Sequence, residues 1–447
     1  MFVTLHPKIK NMLSLTDFNI SIFSIVLLCI SAICATFLLI SYRSRIARVS
    51  KHCRDCKPTI IENAINNTSS DEDFDDDFNN DGSSAFSLDF EVETPTTSVL
   101  LPPLPTASVI VYSNDEATNL ASLLPQILKQ DYPNEFEVIV VNDGSVESTS
   151  DVVSELQLNY SNLYLTYTPD RSRNLSRKKL ALTLGIKAAR YEVVVCVNAN
   201  SRINSTHWLS LMTRNFNEKT DVVIGYATPD VEADQERGRR RRAFDRVAEA
   251  VKYLSAAISD TPFRGFSYNL AYRRHCFFDN KGFSRSLNLH YGDDDVFINE
   301  ITNSHNTAVE LSEESMVECR FYHPVASHNE LKRRYNYTAK YLRKNASIFF
   351  GACSSVTWLW LLSSLAAILV SIPNLFSIIF STVVALIIAL VLWIPLIITW
   401  RNTMIALKSR KLMLTIPWFV LTRPFYNAIY KIKNKIDYRR NHTWIKK

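Results

Sequence analysis

From Phe18 to Ser41 the sequence reads FNISIFSIVLLCISAICATFLLIS, without one charged residue. A helix of that length, rising about 1.5 Å per residue, crosses a hydrocarbon core of about 30 Å. Two more such runs, Ile348 to Ser371 and Ser377 to Trp400, lie near the other end, with Pro373 and Asn374 between them. So short a connection makes them a helical hairpin. These runs exclude an ordinary soluble enzyme. A cleaved signal peptide is the competing reading of the first run. Its apolar region would be shorter, and no clear small-residue cleavage site precedes the basic stretch that follows. An uncleaved helix is the preferred reading.

Charge gives the orientation. Arg43, Arg45, Arg48, Lys51, Arg54 and Lys57 follow the first run, whereas only Lys8 and Lys10 precede it. Cytoplasmic flanks are enriched in Lys and Arg, so residue 42 onward is expected in the cytoplasm and the N-terminus outside. The tail agrees, with Arg401, Lys408, Arg410, Lys411 and a second basic cluster from Lys431 to Arg440. Segment 412–430 carries two prolines and Arg423, and reads as an interfacial helix rather than a fourth span. No ionisable residue sits inside the three runs, which argues against a channel or transporter.

The organisation expected is therefore an extracytoplasmic segment 1–17, a transmembrane helix 18–41 and a basic then acidic linker 42–104. An α/β domain over 105–345, a membrane hairpin 346–400 and a basic tail 401–447 follow. Net charge is only +6, from 50 Lys and Arg against 44 Asp and Glu, but it is segregated. Residues 71–93 are acidic, and this stretch with its Pro-rich end reads as a flexible tether. Asn67-Thr68-Ser69 is a glycosylation sequon that a cytoplasmic linker would not use. Basic flanks suit membrane surfaces and anionic ligands, and no nucleic-acid-binding motif is present. The densest basic run, Arg237 with Arg239 to Arg242, suits anionic lipid or simply a solvated helix face. The eight cysteines lack the spacing of a disulfide framework, and Cys53 and Cys56 form a lone pair without further zinc ligands.

Over 105–325, β-branched runs at Ser108–Tyr112, Phe136–Val141, Leu163–Tyr167, Val193–Val197 and Asp221–Gly225 alternate with helical patterns at 116–129, 147–159, 177–189 and 205–216. That alternation predicts βαβ units and a mainly parallel sheet, with ligands at the carboxyl ends of the strands. Carboxylates stand there: Asn114-Asp115-Glu116 after the first strand and Asn142-Asp143-Gly144-Ser145 after the second. An Asp so placed can accept hydrogen bonds from a base N–H or from ribose hydroxyls. Each turn alone is ordinary; the two together are more telling.

At this point the sequence resembles the family-two glycosyltransferases, inverting nucleotide-sugar enzymes with the GT-A fold, a Rossmann-like mixed α/β sheet. The match runs over about 105–345. ASVIVYSNDEATNL is similar to the first strand and its acidic turn, and QDYPNEFEVIVVNDGSVEST is the most specific segment. SRKKLALTLGIKAA resembles the family's Gly-Lys-Lys helix, with Arg177 where glycine is usual. GFSYNLAYRR, GDDDVF at 292–297 and LKRRY at 331–335 resemble the acceptor-side, catalytic-base and membrane-surface motifs.

The resemblance implies a single in-line displacement with a UDP- or GDP-sugar as donor. Carried over position by position, Glu116 and Asp143 hold the nucleoside, while Lys178 and Lys179 stand at the phosphate or base side. Asp294 is the general base, with Asp293 beside it. Arg334 and Lys332 offset phosphate charge, and Asn269 lies on the acceptor side. The acceptor implied is membrane-associated, a lipid-linked sugar or a surface polysaccharide. Membrane lipids are further partners, and the expected location is a bacterial inner membrane, multi-pass, with the catalytic domain cytoplasmic. Two short spans suggest no polymer channel, which argues against a processive, extruding synthase.

One departure matters. The family has Asp-x-Asp after the fourth strand, to hold Mg²⁺ or Mn²⁺, and this chain has Asn198-Ala199-Asn200. Hard cations prefer charged oxygens, so Mg²⁺ or Mn²⁺ would be held weakly. Three readings stay open. The metal is held mainly by the diphosphate, with help from Asn198, Asn200 and His323. The enzyme is metal-independent and uses Lys and Arg. Or the domain is an inactive paralogue that binds nucleotide or glycan as a membrane scaffold.

Overall fold

The computed structural model describes residues 21–56, 104–144, 148–169, 176–230 and 233–442. The N-terminal segment and the acidic linker, with its sequon, lie outside the described residues. Helix α1 spans Ile22–Asp55. It passes through a π-helical turn at Leu38–Tyr42 without ending. The helix therefore continues past residue 42, where apolar residues give way to basic ones. Arg43–Asp55 stays helical because Ile46 and Val49, one turn apart, are both fully buried.

The α/β domain then follows in order. It comprises β1 (Ala107–Ser113), α2 (Ala117–Leu128), β2 (Phe136–Asn142), α3 (Ser148–Gln157), β3 (Leu163–Tyr167), α4 (Arg177–Ala188) and β4 (Val193–Asn198). Next come β5 (Ser201–Arg202), α5 (Trp208–Thr213), β6 (Val222–Ile224), β7 (Ala227–Pro229), α6 (Arg239–Ala257), β8 (Leu270–Arg273) and α7 (Arg274–Asp279). The last parts are α8 (Asp295–Ile301), β9 (Thr307–Val309), β10 (Val317–Cys319) and α9 (Pro324–Thr338). Each expected strand is present within a residue or two. The β-branched residues of β1, β2, β4 and β6 are buried on both faces, as a sheet covered on both sides requires, whereas the edge strand β3 is partly exposed.

The main sheet has seven strands in the order β3-β2-β1-β4-β8-β6-β9, and a small second sheet runs β5-β10-β7. Strands β1 to β4 are parallel, whereas β8 is antiparallel to β4 and β6. The order reverses direction between β1 and β4. The carboxyl ends of those strands thus flank a crevice, and the chain continues there into Asn114–Glu116 and Asn198–Asn200.

Helices α10 (Asn345–Val370) and α11 (Leu375–Ala406) form the expected hairpin, and α12 (Ile416–His442) ends the described chain. Helices α1, α10 and α11 are each long and apolar enough to cross a membrane. Asn374 caps α11 by accepting from the amides of Phe376 and Ser377. Between α1 and α10, the Ser31 and Ser364 hydroxyls meet at 2.6 Å. The core of the α/β domain continues into the base of this bundle, where the Phe244 and Trp400 rings lie 5.0 Å apart.

Candidate active site

The crevice opens into a cavity of about 730 Å³ that reaches from Glu116 and Asn200, past Arg246 of α6, to Arg334 on α9. Glu116 lines it at one end and Arg334, which pairs with Asp293 and Asp294, at the other.

β2 leads into Asp143, which does not itself line that cavity. The Arg177 Nε and Thr168 Oγ1 donate to its Oδ1 at 2.9 and 2.8 Å, and the Tyr112 hydroxyl donates to Oδ2 at 2.8 Å. This carboxylate is buried and fixed in direction before any ligand arrives. Gly144 follows with φ +74°, and a Cβ there would collide with the Arg177 guanidinium. Arg177 thus occupies the space that Gly144 leaves open. Glu116 lies at the start of α2, lines the cavity and accepts from Asn119. Burial pushes its carboxyl up.

At the second end, the loop Gly292–Asp295 runs into α8. Gly292 has φ +105°, a conformation only glycine takes readily. The three acids that follow have distinct surroundings. Asp293 is clamped by Lys178 Nζ at 2.8 Å and Arg334 Nη2 at 3.0 Å. Burial alone would raise its carboxyl, but those two cations outweigh burial and hold it well below the usual range. Asp294 caps α8 through the Asp295 amide at 2.8 Å, with its other oxygen 3.6 Å from Arg334. Asp295 is turned inward, where it accepts from the Thr338 hydroxyl and from the Val296 amide. Burial, then the neighbouring Asp294, pushes it up. Asp294, and not Asp295, is the helix cap.

Three expected site residues face elsewhere. Lys179 is fully buried, and its Nζ donates to the carbonyls of Ser286 and Leu289. It braces the loop leading to Gly292 instead of meeting a phosphate. Asn269 is also fully buried: it donates to the carbonyls of Tyr226 and Ser315 and accepts from Trp208 Nε1. It is a knot between β7, α5 and β8, not an acceptor contact. Asn269→Ala should leave those partners unsatisfied and cost about 2–4 kcal/mol of stability, as thermal or denaturant unfolding would show, while nucleotide affinity is unchanged. Lys332 lies 2.6 Å from Asp245 and 3.5 Å from Glu249. Arg423 of α12 meets the same two acids at 2.8 and 2.7 Å. Lys332 is thus spent on holding α6, α9 and α12 together, and Arg423 has a partner in the domain.

His323 is exposed, opens α9 and lines the cavity. Asn198 and Asn200 contact the Tyr268 hydroxyl. Asn200 also donates to the Arg320 carbonyl at 3.1 Å. The donor set for a divalent ion at this turn is two neutral amides, one already engaged, with the Arg320 guanidinium borne on the adjoining strand end. These residues do not fit a hard dication. Another group of potential ligands, Asp221, His275 and Cys276, lies at the opposite end of the sheet. Sequence reading missed Thr168 and Tyr112 as holders of Asp143, and also Tyr268, Arg246 and Arg320. The run Arg239–Arg242 did point to α6, but Arg242 is buried in an ion pair with Asp234.

The sheet order, the crevice and an acidic turn at each end define a GT-A domain of the nucleotide-diphospho-sugar transferase kind, here joined to three apolar helices. Residues 108–289 match the glycosyl transferase family 2 model, and the chain carries a domain of that family. Among curated relatives, it is 31% identical over 97 residues to a poly-beta-1,6-N-acetyl-D-glucosamine synthase of Staphylococcus epidermidis, covering 22% of each chain. It is 26% identical over 183 residues to the Bacillus subtilis putative glycosyltransferase EpsH, covering 41% of this chain and 48% of that one. The chain thus spans less than half the length of these relatives. Among solved structures, a Pyrobaculum calidifontis mannosyltransferase in complex with GDP-Man and Mn²⁺ aligns at TM-score 0.43 and 18% identity, over 68% of this chain and 85% of that one. Staphylococcus aureus TarS aligns at TM-score 0.37 and 21% identity, over 58% and 72%.

Proposed function

We propose that this chain transfers a sugar, with inversion, from a UDP- or GDP-sugar to a hydroxyl of a membrane-associated acceptor, a lipid-linked sugar or a surface polysaccharide. The observation that carries this reading is one continuous cavity. It joins the nucleoside-side Glu116 to Arg334, which itself holds Asp293 and Asp294.

In this reading Asp143 and Glu116 receive the nucleoside. Asp294 accepts the acceptor hydroxyl's proton as its oxygen bonds to the sugar C1. The C1–O bond to the diphosphate breaks, and its electron pair leaves with the nucleoside diphosphate. Asp293, kept ionised by Lys178 and Arg334, is too weak a base for that proton and orients Arg334 instead. Asp295 supports the loop from behind. The membrane acceptor is supported by the three apolar helices and by the core they share with the domain. The same helices, with their basic flanks, support an inner-membrane location and a cytoplasmic domain.

The test is nucleoside diphosphate release by the full chain in detergent or nanodiscs, across UDP- and GDP-sugars. Release from one donor, lost in Asp294→Asn, is expected. The Asn198-Ala199-Asn200 turn favours a second reading, a nucleotide- or glycan-binding scaffold. Tight donor binding with no release, even with acceptor lipids added, would establish that scaffold.

A further inference from the structure

The donor cavity holds more positive charge than its own acids neutralise. Arg333 pairs with Glu330 at 3.3 Å, and Arg334 with Asp293. Glu249, on the cavity wall, is taken up by Arg423 and Lys332. Two lining guanidiniums are left over, against one lining carboxylate, Glu116, whose partner is the Asn119 amide. Among the described residues, neither Arg246 nor Arg320 has a carboxylate within ion-pair distance or an acceptor for its side chain. Arg246 instead lies over the Phe321 ring, 4.7 Å from its centroid. A largely buried cation without a counter-ion is costly in an empty cavity. It becomes favourable once an anion arrives.

Their place in the fold says which anion. Arg320 ends β10, and its amide donates to the Asn200 carbonyl at 2.9 Å while Asn200 Nδ2 returns to the Arg320 carbonyl. Arg320 is therefore locked to the turn where the Asp-x-Asp carboxylates would stand. Arg246, from α6, lines the same cavity as Asn200 and Arg320. It packs on Phe321, whose ring is 6.2 Å from that of Tyr268, and Tyr268 contacts both Asn198 and Asn200. Acids in this turn would have brought negative charge to the cavity that these arginines line, and the neutral amides bring none. The neutral turn, through Asn200, and the two arginines thus border one cavity.

We propose that Arg246 and Arg320 neutralise the donor's diphosphate directly, in place of a divalent cation, so that donor binding here needs no metal. The inference rests on the nucleotide-sugar reading above and specifies its phosphate subsite. A planar guanidinium offers paired N–H donors matched to phosphate oxygens.

The experiment is calorimetry on the full chain in detergent, with inorganic pyrophosphate, UDP, GDP, uridine and guanosine as probes, in EDTA and in Mn²⁺. Diphosphate affinity should agree within about threefold between the two conditions. Arg246→Met and Arg320→Met should each weaken diphosphate binding by about 10- to 100-fold, the usual scale of a charge-assisted hydrogen bond, and leave the nucleosides unchanged. Arg246→Lys should recover part of the loss, which a folding defect would not allow. Asn198→Asp with Asn200→Asp should weaken pyrophosphate in EDTA and create a Mn²⁺ requirement, visible as a bound-Mn²⁺ resonance. Pyrophosphate binding that already requires Mn²⁺, or that ignores both arginines, overturns the inference and leaves the transferase reading standing. Metal-free, arginine-dependent pyrophosphate binding with no nucleotide bound supports the anion site and overturns the nucleotide-sugar reading. Binding of no probe overturns both.

Discussion

Asp294→Asn should lower sugar transfer by about a thousandfold, within the 10²–10⁴ range that a positioned general base contributes, while nucleotide affinity stays within about threefold. The substitution is nearly isosteric and keeps an oxygen for the Asp295 amide, so the α8 cap survives. Only the proton acceptor is lost. Asp293→Asn has a different signature. It breaks the clamp between Lys178 and Arg334, two cations from α4 and α9 that, among the described residues, share Asp293 as a carboxylate partner. Affinity and turnover should fall together there. If Asp293→Asn, and not Asp294→Asn, gave the pure loss of turnover, the roles of the two acids would be reversed. Single-turnover rates beside binding isotherms separate these outcomes.

Arg423→Met should cost about 3–5 kcal/mol, as removal of one partner from a buried ion cluster does. Arg423 meets Asp245 and Glu249, and Lys332 and Arg264 complete the group. Burial alone would raise both carboxyls, but Lys332 and Arg423 outweigh it and hold them low. The sign follows from that depression. The cluster's contribution is fully present above the carboxylates' unfolded pKa near 4, and is lost as pH falls through the lower folded values. The variant should therefore be most destabilised at neutral pH, with the gap to the parent closing under acid. Denaturant unfolding at pH 7 and pH 3 measures the gap. An undiminished gap at pH 3 would mean that lost packing, and not charge, is responsible.

These corrections share a physical cause. The strands were legible because runs such as Val193–Val197 have no stable place except a covered sheet, and Gly144 was legible because its turn needs a positive φ. Charge is visible in a sequence, but its partner is not. Lys332 and Arg334 are two residues apart on α9, and the helical turn sends one to Asp245 and the other to Asp293. Lys178 and Lys179 are adjacent, yet one holds an acid and the other two carbonyls. Position within a motif could not separate either pair, because the choice is made by helices α6 and α12 and by the loop before α8. Asn269 fell to the same difficulty, since its partners come from three separate segments. The run past residue 42 held an unused signal: Ile46 and Val49 keep an apolar stripe among the arginines.

That unbroken helix has a mechanical meaning. The lower part of α1 is bolted to the α/β domain, where Arg45 donates to Ser259 at 3.2 Å and His52 meets the Val309 carbonyl at 2.8 Å, and to α11, whose Thr403 donates to the Ile46 carbonyl at 3.2 Å. α1 and Leu104, on either side of the linker, are both held on the same α/β domain. With α1 upright in a bilayer, the domain resembles a lathe bolted to its bench more than a boat on its mooring. In the function proposed above, that would keep the crevice at one height and one angle, and the acceptor would have to bring its hydroxyl to that fixed point.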